Sequence, residues 1–215
     1  MTKVIFPQYL EQYSEDYTTP ESPVLAALNR ETHMKVNGAV MLSGHVQGAF
    51  LQMISHLARP MYILEIGTFT GYSAICLAQG LQDGGMLHTI DVDEELQEIA
   101  ARHFKQAALS EKTTQHIGDA KQIIPTLKET FDIVFIDADK QGYCDYYDMV
   151  FYKVRSGGLI LADNVLYEGE VTLPAEQQSK NGRSMQRFND KIKNDPRVEH
   201  LLLPVRDGIM MIRKK

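Results

Sequence analysis

The chain has 215 residues, of which 44% are hydrophobic and 23% charged, an ordinary composition for a globular domain. Its 28 acidic residues outnumber the 22 lysines and arginines, and the net charge of −6 argues against broad binding to nucleic acid. No apolar run approaches the ~20 residues that span a bilayer, and the N-terminus lacks a secretory apolar core. We therefore expect a cytoplasmic protein without membrane contacts, whose two cysteines, Cys76 and Cys144, are reduced thiols.

Two helices are predicted ahead of residue 60. Ser22 followed by Pro23 is a typical helix start, and this helix is expected to run to about Val36. The second helical pattern, GHVQGAFLQMISHLA, ends before Pro60 because proline cannot continue a helix. We expect one domain over residues 1–215, with a helical N-terminal segment at 1–58 and the core at 60–215.

From residue 62 onward, short apolar runs alternate with helical patterns. The five runs are YILEIG (62–67), MLHTIDVD (86–93), TTQHIGDA (113–120), FDIVFIDAD (131–139) and GGLILADNV (157–165). A tyrosine-rich helix between the last two is expected to reach about Arg155. Such alternation predicts a parallel sheet that is covered on both faces.

The C-terminus departs from this alternation. Two strand-like runs, VEHLLLPV and GIMMIRK, meet at Arg206-Asp207-Gly208, a spacing that predicts a hairpin. The predicted fold class is therefore α/β. We expect a Rossmann-like, doubly wound, seven-stranded sheet, mostly parallel, with an antiparallel C-terminal hairpin and helices on both faces.

The loop after the first run, EIGTFTG (65–71), is the first candidate binding element, because ligands of such sheets bind beyond the carboxyl ends of the strands. It matches neither G-x-G-x-x-G nor the phosphate-binding loop with Gly-Lys-Ser/Thr. A nucleoside without a diphosphate therefore fits better. Asp91 ends the second strand, where a carboxylate can accept hydrogen bonds from ribose hydroxyls. A plain turn and a solvated strand end are the alternative interpretation of these features.

Four motifs in order carry a more specific signal: EIGTFTGYSA, IDADKQGYCDYY, GGLILADNVLYEG and DPRVEHLLLPVRDGIMMIRK. Together they resemble the cation-dependent, class I S-adenosylmethionine-dependent O-methyltransferases of the caffeoyl-CoA and catechol type. The resemblance runs from about residue 20 to the C-terminus.

The resemblance implies roles for individual residues. It puts Asp137, Asp163 and Asn164 on a divalent cation, with Mg²⁺ preferred and Mn²⁺ or Ca²⁺ as alternatives. It makes Lys140 the catalytic base beside Asp137, and it implies a homodimer in which the N-terminal 40 residues take part. It also surrounds S-adenosylmethionine with the following residues: Ser43, Glu65, Gly67, Phe69, Gly71, Ser73, Asp91, Asp119, Ala120 and Asp137.

The chemistry of methyl transfer to a phenol suits these residue types. A phenol with a pKa near ~10 is a poor nucleophile, and a bound cation stabilises its oxyanion. Three hard oxygen ligands leave roughly three positions of an octahedron, so two adjacent hydroxyls can bind. That predicts a catechol-like small-molecule acceptor, free or linked to CoA. Lys140 beside the cation is expected to have a lowered pKa, as a base requires.

Several alternatives stay open at this point. Asp139 either caps the next helix or supports the site. Residues 166–188 are predicted to form a polar loop, whose Lys180, Arg183 and Arg187 meet either solvent or a CoA phosphate. The rival functions are a metal-independent methyltransferase, a non-catalytic nucleoside-binding protein of the same fold, and an NAD(P) dehydrogenase, which the missing G-x-G-x-x-G disfavours.

Overall fold

The computed structural model describes residues 8–215, so the first seven residues of the predicted N-terminal segment lie outside the described part. The helices are α1 (Gln8–Asp16), α2 (Pro23–Lys35), α3 (Gly44–Ala58), α4 (Tyr72–Ala78), α5 (Gln97–Gln106), α6 (Ala120–Ile123), α7 (Tyr143–Phe151) and α8 (Lys180–Lys193). The strands are β1 (Tyr62–Ile66), β2 (Met86–Asp91), β3 (Thr113–Ile117), β4 (Phe131–Ile136), β5 (Val154–Ala162), β6 (Val198–Leu203) and β7 (Ile209–Lys214). Within residues 8–215, no helix has the length and apolarity needed to cross a membrane.

All seven strands form one sheet in the order β3-β2-β1-β4-β5-β7-β6. The first five strands are parallel, and β7 is antiparallel to both β5 and β6, which confirms the predicted architecture and its C-terminal hairpin. The chain order reverses between β1 and β4, the place where open α/β sheets bind ligands. The fold therefore puts its binding crevice at the carboxyl ends of these central strands.

The sheet is covered on both faces, as predicted. Neighbouring residues of β1 point to opposite faces, so Ile63 and Leu64 belong to two separate cores. One core contains side chains from α2 to α5, and the other contains side chains from α6 to α8. Burial on both faces explains why the central strands read as unbroken apolar runs.

Local signals located the first two predicted helices well. The Ser22 side chain accepts the N–H of Leu25 and caps α2, which begins at Pro23 as predicted. Helix α3 ends at Ala58, ahead of Pro60, again as predicted.

Two predicted boundaries were wrong. The tyrosine-rich helix α7 ends at Phe151 rather than Arg155, because Val154 already pairs with Phe131 of β4. The predicted 166–188 loop is free of α-helix only over residues 166–179, since α8 begins at Lys180. Ser179 caps α8, which buries a sparse apolar stripe, Met185, Phe188 and Ile192, in an otherwise polar sequence. Pairing in the sheet and burial of three side chains outweighed the local composition in these places.

Candidate active site

A cavity of about 1030 Å³ opens at the carboxyl ends of the central strands. Its walls include eleven of the predicted site residues: Ser43, Gly67, Phe69, Ser73, Asp91, Asp119, Ala120, Asp137, Lys140, Asp163 and Asn164. Glu65 and Gly71 lie outside this lining. The strands thus bring most of the predicted site together, whereas Glu65 and Gly71 are buried and do not line the cavity.

Backbone hydrogen bonds connect the carboxyl ends of β1, β4 and β5. The N–H of Asp137 donates to Ile66 O at 2.8 Å, and that of Asp163 donates to Ile136 O at 3.0 Å. Gly67 stands beside Asp137 with φ +104°, and a Cβ there would lie 1.8 Å from the Asp137 carbonyl oxygen. Only glycine fits this position, because a side chain would force β1 and β4 apart.

The loop after β1 is shaped by the carboxylate of Asp91. Asp91 Oδ2 accepts the N–H of Phe69 at 2.7 Å, and Oδ1 accepts the N–H of Asp93 at 3.0 Å. Gly71, with φ +91°, starts α4, and its Cα lies so close to Phe104 that a Cβ would meet the ring at 2.9 Å. Each carboxylate oxygen has a second acceptor position, so Asp91 can hold the loop and still accept from a ligand hydroxyl.

Glu65 lies fully buried below this loop. The Thr89 hydroxyl donates to its Oε2 at 2.6 Å. Burial raises the pKa of Glu65 to about 8; hydrogen bonds from Ser73 and Thr89 partly oppose this, and the charges of Asp137 and Asp91 add to it. Glu65 therefore supports the cavity floor as a largely neutral carboxylic acid at neutral pH.

Asp137, Asp163 and Asn164 come together at the ends of β4 and β5. Asp163 is 3% exposed, and its Oδ1 accepts the N–H of Asn164 at 2.7 Å. Burial, followed by the nearby charge of Asp137, raises the pKa of Asp163 well above its usual range. Asn164 has a left-handed backbone with φ 55°, which turns the chain sharply after β5. The result is two carboxylates held near each other beside an amide.

This donor set fits a divalent cation. Its oxygens are hard ligands, and a cation would relieve the unfavourable interaction between the two carboxylates. Across residues 8–215 no group of three or more His, Cys, Asp or Glu side chains is placed to hold a metal. The predicted set differs from such a group because an amide, that of Asn164, completes it.

Lys140 lies next to this set. Its Nζ donates to Asp137 Oδ1 at 3.0 Å and to the Tyr143 hydroxyl at 2.8 Å. Burial lowers the pKa of Lys140, but the neighbouring Tyr143 and Asp137 outweigh it and raise the pKa above the usual range. In the absence of a bound cation, the charge of Asp137 and the contact with Tyr143 keep the Lys140 ammonium charged; the lowered pKa expected from the sequence refers to Lys140 beside a bound cation and stays a prediction.

Asp139 lines the cavity and also contacts the start of the next helix. Asp139 Oδ2 accepts the N–H of Gly142 at 2.9 Å, and Oδ1 accepts the hydroxyl of Tyr146. Both contacts lie at the start of α7, so Asp139 anchors that helix. Asp119 has a similar contact, since its Oδ1 accepts the N–H of Lys121 at 2.8 Å at the start of α6.

Two residues that hydrogen-bond to predicted site residues were not predicted from the sequence. Gln47 of α3 donates through Nε2 to Asp163 Oδ2 at 2.6 Å, and Arg206 Nη1 donates to the carbonyl oxygens of Leu42 and Ser43. A polar residue on the apolar side of α3 was a weak signal for Gln47. For Arg206, which lies in the hairpin turn, the sequence carried no signal.

The basic residues of the 166–188 segment lie away from the cavity. Lys180, Arg183 and Arg187 are exposed and are not part of its lining. Arg183 Nη1 donates to the backbone oxygens of Gln178 and Ala175 and so stabilises the turn before α8.

Comparison with known proteins places this chain in a family. The model of a family described as O-methyltransferase matches residues 13–215. Caffeoyl-CoA O-methyltransferase of Petroselinum crispum is 32% identical over 206 residues, covering 91% of this chain and 86% of the relative. The crystal structure of the O-methyltransferase from Bacillus cereus in complex with SAH is 32% identical, with a TM-score of 0.84 over 96% of this chain and 97% of that one. SAH-bound methyltransferase PaMTH1 of Podospora anserina is 26% identical, with a TM-score of 0.89 over 98% of both chains.

The matches extend over nearly the whole chain and include every strand and the segments that form the cavity. They confirm the family resemblance indicated by the four motifs. The chain belongs to the O-methyltransferase family.

Proposed function

We propose that this protein transfers a methyl group from S-adenosylmethionine to a hydroxyl of a catechol-like small molecule, assisted by a divalent metal. The observation that carries the proposal is the convergence of the Gly67 loop, the Asp137–Asp163–Asn164 set and Lys140 in one cavity. Family membership supports methyl transfer to oxygen, and the relatives in complex with SAH support the methyl donor.

The loop after β1 and the end of β2 would hold the methyl donor, which supplies a methyl group on a positively charged sulfur. Gly67 lets the loop lie close against Asp137, and Asp91 offers acceptor positions to ribose hydroxyls. The acidic wall of the cavity favours a cationic ligand, because several carboxylates face a volume with few basic side chains. Holding donor and acceptor in line lowers the barrier by removing the entropy cost of their encounter.

Asp137, Asp163 and Asn164 would hold the divalent cation, which supplies Lewis-acid stabilisation of a phenolate oxygen. Their fixed positions at the ends of two hydrogen-bonded strands orient any acceptor that binds through the ion. Two adjacent hydroxyls suit the positions that three protein ligands leave free, which is why a catechol-like acceptor is proposed.

Lys140 is the group proposed to accept the phenolic proton at Nζ. An ammonium cannot accept a proton, so this role requires the Lys140 pKa to fall until the amine is neutral. Neutralising the charge of Asp137 removes one of the causes that raise the Lys140 pKa, and burial then favours the neutral amine. The Tyr143 hydroxyl, at 2.8 Å, keeps the amine oriented.

The test is methylation of an acceptor panel by purified protein: a free catechol, a catechol carboxylate, a catechol CoA thioester and a monophenol. We expect turnover of catechols, loss of activity with chelator, recovery with Mg²⁺, and loss in Asp163→Ala. Asp148→Ala, at an exposed residue paired with Lys191, is the matched control and should be fully active. Activity insensitive to chelator and to Asp163→Ala would refute the metal role. Tight cofactor binding without turnover of any acceptor would instead favour a non-catalytic protein.

We also propose that the chain is one domain and that it forms a homodimer through its N-terminal helices. Helices α1 and α2 and the turn after them expose large apolar side chains: Tyr9, Tyr13, Tyr17, Met34, Val40 and Met41. Burying this surface against a second copy would stabilise the pair. A light-scattering mass of 24.3 kDa, that of one chain, at working concentration would refute the dimer.

A further inference from the structure

Gln47 of α3 is buried at the back of the proposed metal site. Its side chain is fully buried, and it is not part of the cavity lining. It nevertheless reaches Asp163, 116 positions along the chain, and its Nε2 donates to Asp163 Oδ2 at 2.6 Å. Gln47 therefore contacts the carboxylate from the protein side, where neither cofactor nor acceptor can touch it.

The Asp163 carboxylate is held at both of its oxygens. Oδ1 accepts the N–H of Asn164 at 2.7 Å, a contact that any chain turning here could make. Oδ2 depends on Gln47 alone among the hydrogen-bond donors of residues 8–215. Because Gln47 belongs to a different element, it fixes the orientation of the carboxylate relative to α3, which the contact with Asn164 cannot do.

Only one end of the Gln47 amide makes a hydrogen bond within residues 8–215. Its Oε1 is buried and has no hydrogen-bond partner within residues 8–215. An unpaired buried oxygen costs free energy, so a glutamine here is a poor choice for packing alone. The hydrogen bond that Gln47 donates to Asp163 explains why a glutamine is buried at this position.

The backbone around Gln47 is held tightly. The next residue, Gly48, packs so closely on α4 that a Cβ would meet the Tyr72 ring at 2.6 Å and Cys76 Sγ at 3.0 Å. Ahead of it, the carbonyl oxygens of Leu42 and Ser43 are held by Arg206. These contacts therefore fix the position of α3, and with it the position of Gln47 next to Asp163.

We propose that Gln47 is a positioning residue that holds Asp163 in the orientation needed to bind the divalent cation. This inference rests on the proposed metal role of Asp163. Partners that orient metal ligands typically contribute about 10- to 100-fold to metal affinity. The same effect is expected here without any contact between Gln47 and the reacting molecules.

The test is titration of Mn²⁺ into metal-free protein saturated with S-adenosylhomocysteine, followed by the EPR signal of free Mn²⁺. We expect Gln47→Met, which keeps the length of the side chain and removes the donor, to raise the Kd for Mn²⁺ by about 10- to 100-fold. Gln52→Met is the matched control, since Gln52 lies on the same helix and its amide faces His56. It should bind Mn²⁺ as the unmodified protein does.

Kinetics add a second measurement. In Gln47→Met the metal concentration for half-maximal rate should rise, while kcat at saturating metal and KM for S-adenosylmethionine should change little. A folded variant with unchanged Kd for Mn²⁺ overturns the inference. So does a fall in kcat that saturating metal does not restore. If Gln47→Met does not fold, Gln47→Leu is subject to the same criteria. If the unmodified protein methylates catechols but binds no Mn²⁺, the proposed metal role of Asp163 is wrong. This result distinguishes failure of the metal role from failure of the inference about Gln47.

Discussion

Replacing Glu65 by glutamine is expected to stabilise the protein at neutral pH and to flatten the dependence of its stability on pH. Glu65 is fully buried, and the Thr89 hydroxyl donates to its Oε2. Burial first, and then the charges of Asp137 and Asp91, raise its pKa from the usual 4.5 to about 8. Glutamine keeps the shape and one acceptor oxygen, and it carries no charge to desolvate.

The size of the effect follows from the two pKa values. The folded pKa lies above the unfolded one, so the contribution of Glu65 to stability is full below pH 4.5 and is lost as pH rises to about 8. At about 1.4 kcal/mol per pKa unit, ionisation costs on the order of 3 kcal/mol at pH 7 and about 5 kcal/mol above pH 8. Any cost of placing the amide nitrogen is the same at every pH, so the slope is the quantity to test.

The assay is urea unfolding followed by circular dichroism between pH 5 and pH 8, in chelator and without cofactor. Between these limits the unmodified protein should lose on the order of 3 kcal/mol more than Glu65→Gln. Glu31→Gln is a control of opposite sign, because hydrogen bonds from Arg102, His103 and Lys35 hold the Glu31 pKa below its usual range. It should be destabilised near pH 7 and approach the unmodified protein as the pH falls through the acidic range. Parallel pH curves for Glu65→Gln and the unmodified protein would refute the reasoning.

Three further substitutions test other parts of the site. Gly67→Ala places a Cβ 1.8 Å from the Asp137 carbonyl oxygen, so we expect the free energy of unfolding, measured in urea, to fall by at least ~2 kcal/mol. Calorimetry should show weakened binding of S-adenosylhomocysteine. Unchanged stability would contradict this prediction. Lys140→Met removes the proposed proton acceptor and should lower kcat by about 10²- to 10⁴-fold; near-normal kcat in the folded variant would exclude Lys140 as the base. Arg206→Met frees the carbonyl oxygens of residues 42 and 43 and should raise KM for S-adenosylmethionine several-fold, whereas Arg213→Met, at an exposed ion pair with Glu199, should not.

The order and type of most elements could be predicted because their signals are local. The Ser22–Pro23 start of α2, the proline after α3 and the turn before β7 each act within a few residues. Helix α8 was missed because only three apolar side chains mark it within a polar stretch. The start of β5 was missed because two glycines inside it weaken the strand signal, and pairing with β4 decides its extent.

The sequence by itself determined which chemical groups stand at the ends of the strands. Carboxylates follow β4 and β5 because those apolar runs stop there, and the parallel topology brings their ends to one edge. Tertiary structure decided what surrounds each group. Gln47 and Arg206 reach the site from 116 and 163 positions away, distances at which local sequence patterns carry no information. Burial raises the pKa of Glu65, and neighbouring groups that outweigh burial raise that of Lys140; both surroundings exist only once the chain has folded.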